Sequence, residues 1–205
     1  MILRKHFKNI GLFMMVSCAV FSQDRRLSKA NANFEDYAFI DARKRYLQVV
    51  KNGHISADIY KKLGDSYYFN GEPEEALKWY EKLAAEYAEE TNMEYLFRYV
   101  QCLKGAERYK EADEMTEKFS AVIPNDNRAK LFSDTGGFLE FIATQSGKFD
   151  IRRLAVNTEY SEYAPSYDHR GRLVFASSRP AGILSRKVHR WNELSFSDLF
   201  SLDET

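Results

Sequence analysis

Four histidines, His6, His54, His169 and His189, are the natural proton carriers or metal ligands of this chain. None stands at ligand spacing from a cysteine or a pair of acids. Asp168-His169 with Ser177 or Ser178 has the residue types of a base and a nucleophile. The serines, however, end an apolar run with no strand-to-helix turn to expose such a hydroxyl. Gly136-Gly137 lacks the glycine spacing and the Lys-Ser/Thr partner of a phosphate loop. Arg186, Lys187, His189 and Arg190 beside Trp191 form a short basic patch that reads as a solvated loop. No catalytic residue, metal ligand or cofactor site is expected, so the chemistry to look for is recognition.

Recognition of nucleic acid is excluded by charge. Lys+Arg and Asp+Glu are each 30, and the first 22 residues hold Arg4, Lys5 and Lys8 with no acid. The remainder has 27 basic against 30 acidic residues, a charge of −3, without the clustered Lys/Arg that neutralises phosphates. The 13 Tyr and 15 Phe suit helix interfaces, sheet faces and protein contacts instead.

The amino terminus reads as an export signal. Its basic start is followed by an uncharged, mostly apolar run from Ile10 to Ser22, too short to span a bilayer, which takes ~20 apolar residues. Val20-Phe21-Ser22 sets cleavage after Ser22. Val16-Ser17-Cys18 offers lipidation of Cys18 as the alternative, against which stand Met15 and the apolar tail Ala19-Val20-Phe21. After cleavage Cys102 alone remains, so no intramolecular disulfide forms, and a small buried hydrophobe is its expected role.

A repeat of about 34 residues organises the middle of the chain. Tyr60, Leu63, Gly64, Tyr67, Gly71, Ala76 and Tyr80 have the spacing of one helical hairpin, with small residues where two helices approach closely. They fall on the bulky and small positions of the tetratricopeptide pattern. Ala30, Ala42 and Tyr46 stand 34 residues before Gly64, Ala76 and Tyr80. Tyr99, Leu103, Ala112, Phe119 and Pro124 fit a third copy once two residues are inserted near Glu89 to Asn92. A helix within Ala129 to Thr144, weakened by Gly136-Gly137, is expected to cap the stack, because each repeat buries its apolar face only against a neighbour.

By repeat position, the first helix of each hairpin exposes Asp58, Lys61, Asp65 and Tyr68, then Glu94, Phe97, Gln101 and Lys104. These eight residues are the candidate partner-binding groove, a mixed-charge surface with two aromatic anchors. Tetratricopeptide domains that clamp a peptide carboxylate use Lys and Asn here. Asp65 replaces the amide, which disfavours that ligand.

From Phe149 the helical spacing gives way to strand signals at Arg153–Asn157, Ala164–Tyr167 and Arg172–Ser178. Asp168-His169-Arg170-Gly171 supplies the turn of a hairpin, with Gly171 free to take positive φ. Tyr163-Ala164-Pro165-Ser166-Tyr167, the apolar strand ending Ser177-Ser178-Arg179, and Asp198-Leu199-Phe200 together resemble one blade of the TolB-like propellers of PD40/WD40-like type. The blade occurs once, whereas closure takes ~4 to 8. The expected fold class is therefore α+β in segregated domains, a tetratricopeptide-type α-solenoid followed by a partial β-propeller. The boundaries are 1–22 for the signal peptide, 23–146 for the capped repeats and 147–205 for the incomplete propeller.

This order of modules resembles the amino-terminal region of the OmpA-family envelope proteins of Bacteroidetes. The resemblance implies a periplasmic, outer-membrane-associated scaffold without enzymatic activity. Some members of that family serve type IX secretion beside a PorP/SprF-like outer-membrane partner. It implies peptidoglycan binding only through a carboxy-terminal OmpA-like domain, which is not among these 205 residues. The alternative is a peptidoglycan or glycan-binding module, suggested by the aromatic β-segment and by that family's association with the wall.

Overall fold

The structure, a computed structural model, describes residues 25–122, 127–128, 137–180 and 187–202. The expected signal peptide, Cys18, Pro124, Arg186 and residues 129–136 of the expected cap lie outside them. Contacts divide the chain into two units, Met1–Ser133 and Asp134–Thr205. That division falls before the expected boundary at 146/147 and groups the helix Phe138–Gln145 with the second unit. Leu139, Phe141 and Ile142 of that helix are exposed.

The first unit is a series of antiparallel helical hairpins of tetratricopeptide type. α1 is helical over 25–35, followed by α2 (Phe39–Lys51), α3 (Ala57–Tyr68), α4 (Pro73–Glu86), α5 (Met93–Gly105) and α6 (Tyr109–Val122). The second helices α2, α4 and α6 begin at residues 39, 73 and 109, steps of 34 and 36. The two extra residues enter through a 3₁₀ turn at Ala88–Glu90, next to the expected insertion. Ala42, Ala76 and Ala112 keep that spacing and are fully buried where paired helices meet. Sequence signals set the starts of α3, α4 and α5. Ser56 Oγ caps α3 by accepting from Ile59 N (3.3 Å), Asn92 Oδ1 caps α5 by accepting from Glu94 N (3.0 Å), and Pro73 opens α4.

The turn inside each hairpin needs one left-handed residue, and the repeat supplies it three times, at Tyr37 (φ 56°), Gly71 (φ 72°) and Glu107 (φ 59°). Only Gly71 meets this need without a Cβ penalty. The core runs continuously through the stack and includes Tyr46, Val49, Leu63, Tyr80, Leu83, Val100, Cys102 and Leu103. Burial, and after it the nearby Asp65, pushes the Cys102 thiol up to about 12, so it is an inert hydrophobe in the core.

The second unit holds α7 (Phe138–Gln145) and an antiparallel sheet of β1 (Glu162–Tyr167), β2 (Leu173–Ser177) and β3 (Asp198–Leu202) in that order. The expected hairpin joins β1 to β2. Asp168 Oδ1 accepts from Arg170 N (2.8 Å) and Arg172 N (3.0 Å), and Gly171 takes φ 74°. The β1–β2 register slips by one residue between Tyr163 and Ser166, which sets Ala164 (φ 51°) and Pro165 together opposite Phe175. A bulge is where an edge strand tolerates a proline that cannot donate to the ladder.

Arg153–Asn157, expected as a strand, is a turn instead: Leu154 N donates to Asn157 Oδ1 (3.0 Å) and Asn157 N to Leu154 O (3.1 Å). The asparagine side chain offers the backbone a local partner that competes with a ladder. The described strands number three, a simple sheet and not a closed propeller.

The Ser-x-Arg end of β2 has a defined task. Arg179 lies over the rings of Phe175 (5.3 Å) and Phe200 (4.9 Å), which stack 6.0 Å apart, and donates to Glu162 Oε1 (3.0 Å) and Val156 O (2.6 Å). Glu162 also accepts from Thr158 Oγ1 (2.5 Å), Thr158 N (3.1 Å) and Ser177 Oγ (3.1 Å). Hydrogen bonds from Thr158 first, then from Ser177 and Arg179, hold the Glu162 carboxyl down at about 2. The folded value lies below the unfolded one, so the stabilisation is complete above about pH 4.5 and is lost as pH falls toward 2. An acid titration followed by a sheet-specific NMR signal is expected to show this loss in the wild type. Glu162→Gln is expected to flatten it; an unchanged acid profile would remove Glu162 from the account.

Candidate functional site

The first helices of successive hairpins, α1, α3 and α5, are linked side by side through polar side chains, and this face holds the candidate partner-binding residues. The link follows one rule used twice. In the first hairpin Tyr46 of α2 donates its hydroxyl to Asn31 Oδ1 (2.6 Å), which also accepts from Lys62 Nζ of α3 (3.0 Å). In the second, Tyr80 of α4 donates to Asp65 Oδ1 (2.7 Å), which also accepts from Arg98 of α5 (2.5 Å). Asn31 and Asp65 are 34 residues apart, as are Tyr46 and Tyr80, while Lys62 and Arg98 are 36 apart. Each unit therefore ties a second-helix tyrosine, a first-helix acceptor and a cation from the next hairpin. In the third hairpin Thr116 stands in the tyrosine's place and donates back to Ala112 O of its own helix (2.7 Å).

Asp65 departs from its expected place in the groove. It is only 5% exposed, and Tyr95 hydrogen-bonds it as well. Burial pushes its carboxyl upward, against the hydrogen bonds of Arg98, Tyr80 and Tyr95. For Arg98, burial works against the charge, but the bond to Asp65 outweighs it and holds the guanidinium firmly protonated. Burial and then Asp65 drive the Tyr95 hydroxyl up to about 12.

The other expected residues lie on or beside the face. Asp58 is exposed and pairs with Lys62 (3.2 Å). Lys61 reaches over the Tyr95 ring of α5 (5.4 Å) and makes no ion pair among the described residues. Tyr68 is half-buried, edge-on to Phe69 and Tyr80, with Arg98 5.9 Å from its centroid. Glu94 accepts from Arg98 (3.2 Å) and Arg128 (2.8 Å), and Arg128 in turn covers the Phe97 ring (4.8 Å). Arg128 foremost, then Arg98, holds the Glu94 carboxyl below its usual range. Gln101 and Lys104 are half-buried farther along α5, and burial lowers the Lys104 pKa against the pull of Asp113.

Asn31, Lys62, Tyr95, Arg98 and Arg128 escaped the sequence reading. The 34- and 36-residue spacings of Asn31 with Asp65, Lys62 with Arg98 and Glu94 with Arg128 were the available signal. The face as built holds five cations, Lys61, Lys62, Arg98, Lys104 and Arg128, against three carboxylates, Asp58, Asp65 and Glu94. It offers hydrogen bonds, charge and aromatic surface. Among the described residues no group of His, Cys, Asp and Glu could hold a metal ion.

No protein-family model matches the chain, and no curated protein matches it in sequence. Among solved structures, the Sgt2 TPR domain from Aspergillus fumigatus superposes with a TM-score of 0.46 at 16% identity, covering 67% of this chain and 91% of that one. PcrH in complex with the chaperone binding region of PopB gives a TM-score of 0.42 at 15% identity, covering 58% and 94%. At TM-scores below 0.5 the fold assignment rests on the helix pairs described above and not on these likenesses.

Proposed function

We propose that the helical repeats bind a segment of a partner protein along the face of α3 and α5, as the recognition arm of a non-enzymatic scaffold in the cell envelope. The observation that carries this is the face itself. Its structural charges are already satisfied in the Asp65–Arg98 and Glu94–Arg128 pairs, while Lys61, on the ring of Tyr95, has no carboxylate partner among the described residues. An excess of cations beside Tyr68, Tyr95 and Phe97 suits a segment that brings carboxylates and apolar side chains. Such electrostatic complementarity sets approach and register, and the aromatic contacts contribute the buried area.

The export signal and the resemblance of the module order to OmpA-family envelope proteins support a periplasmic site at the outer membrane. A PorP/SprF-like protein is the partner that resemblance suggests, and the three-stranded sheet is the part of a PD40-like blade that these residues form. The test is capture of a candidate PorP/SprF-like protein by the immobilised chain. Lys61→Glu and Phe97→Ala are each expected to weaken capture about tenfold, some 1.4 kcal/mol, with melting temperatures unchanged. Capture indifferent to both substitutions would move the partner off this face.

A further inference from the structure

The second unit contains a cleft to which the partner-binding reading assigns no task. Its volume is about 500 Å³, and Tyr163 and Ser178 of the β1–β2 hairpin face His189, Asn192, Ser195 and Phe196 of the following loop across it. That volume is typical of small-ligand sites, which span roughly 300–1,000 Å³.

Both walls are held in place by their own hydrogen bonds. On the strand side, Ser178 N donates to Ser161 O (3.1 Å) and Ser161 N to Ser178 Oγ (3.2 Å). On the loop side, Val188 bridges Ser195, His189 N donates to Leu194 O (2.8 Å), and Glu193 N donates to His189 O (2.8 Å). Asn192 Oδ1 accepts from Leu194 N (3.0 Å), and His189 Nδ1 accepts from Trp191 N (3.2 Å). These bonds occupy the acceptor atoms of both side chains. The Asn192 amide nitrogen and the His189 Nε2–H then remain as donors, with no partner among the described residues.

The composition of the lining selects the ligand. Among its described lining residues no carboxylate, lysine or arginine is present, so a charged ligand would lose its hydration without meeting a counter-charge there. A hydrocarbon would strand the free amide, the imidazole N–H and the serine hydroxyls, which is costly for polar groups removed from water. Two rings supply apolar platforms, Tyr163 at 51% exposure and Phe196 at 56%, the latter 5.3 Å from the His189 ring. A ligand with apolar C–H faces and a rim of hydroxyls satisfies both sets of groups. We propose that this cleft binds a neutral saccharide of one or two rings, stacked against Tyr163 and Phe196 and hydrogen-bonded by His189 and Asn192. This stands independently of the protein partner, since the two sites lie in separate units.

The test is titration of the purified chain, by calorimetry and by NMR, with N,N′-diacetylchitobiose, cellobiose and maltose. At least one is expected to saturate with a Kd near or below 1 mM, about −4 kcal/mol. Tyr163→Ala and Phe196→Ala are each expected to weaken it at least about tenfold, some 1.4 kcal/mol. Tyr163→Phe, which keeps the ring, and Tyr167→Ala, on the same strand but outside the lining, are expected to leave it within about threefold, under 1 kcal/mol. Melting curves separate lost binding from lost folding. Three outcomes would overturn the proposal: no saturation with any of the three sugars, saturable binding that both alanine variants leave intact, or tighter binding of a sulfated disaccharide than of every neutral one.

Discussion

Replacing Asp65 by alanine is expected to lower the stability of the helical repeats by about 3–5 kcal/mol, the range found when one partner of a buried ion pair is removed. The loss has three parts. Arg98, mostly buried, keeps its 3.2 Å contact with Glu94 as the one nearby counter-charge among the described residues. The Tyr80 hydroxyl, within a nearly fully buried side chain, loses its acceptor, and Tyr95 loses its bond as well. Asp65→Asn keeps an acceptor while dropping the charge, which is how Asn31 meets Tyr46 and Lys62 in the preceding hairpin. Its expected cost is smaller, about 1–2 kcal/mol, the scale of one weakened hydrogen bond. Thermal melts of the two variants decide this, with Asp65→Ala expected to fall by at least about 10 °C for a unit of this size. Equal melting temperatures for the two variants would mean that Asp65 is not the hub that ties α3, α4 and α5.

Gly64→Leu is expected to cost about 3 kcal/mol, the upper end of the usual range for overpacking. A Cβ at Gly64 would stand 2.7 Å from Cδ1 and 2.8 Å from Cζ of Tyr80, inside any normal contact. The ring cannot swing away, because its hydroxyl is held by Asp65 and its body lies edge-on to Tyr68. Lys61→Leu, one turn earlier on the same helix, where the half-buried side chain lies over the Tyr95 ring and its stem can be replaced by leucine without a clash, is expected to stay within about 0.5 kcal/mol. Differential scanning calorimetry on both variants gives the comparison, and similar shifts would show that the helix faces are assigned wrongly.

The repeat was legible because a helical hairpin imposes its constraints locally and periodically. Gly64, Ala76 and Tyr80 announce a close helix crossing by residue size alone, and the same sizes recur at Ala30, Ala42 and Tyr46. The insertion near Glu89 was readable for the same reason, since it shifts every later match by two. The turn Asp168–Gly171 was equally local, an aspartate side chain and a glycine each performing a role its own chemistry prescribes.

What the sequence by itself determined, then, is the hairpin period, the helix caps, the β1–β2 turn and the absence of clustered basic charge. Tertiary structure alone decided which way a polar residue on a half-buried face turns. Asp65 occupies a groove position by spacing, yet inside the stack two hydroxyls and a guanidinium replace the water its carboxylate gives up, so it is held inward. The Arg98 that draws it in comes from the next hairpin, 33 residues away, and periodicity within one helix carries no trace of that pairing. The Arg179–Glu162 clamp and the cleft beneath Tyr163 and Phe196 have the same origin. Their members are 17 and 33 residues apart in sequence, and only folding of the loop and strands onto one another brings the first pair within hydrogen-bonding distance and sets the second around one cleft.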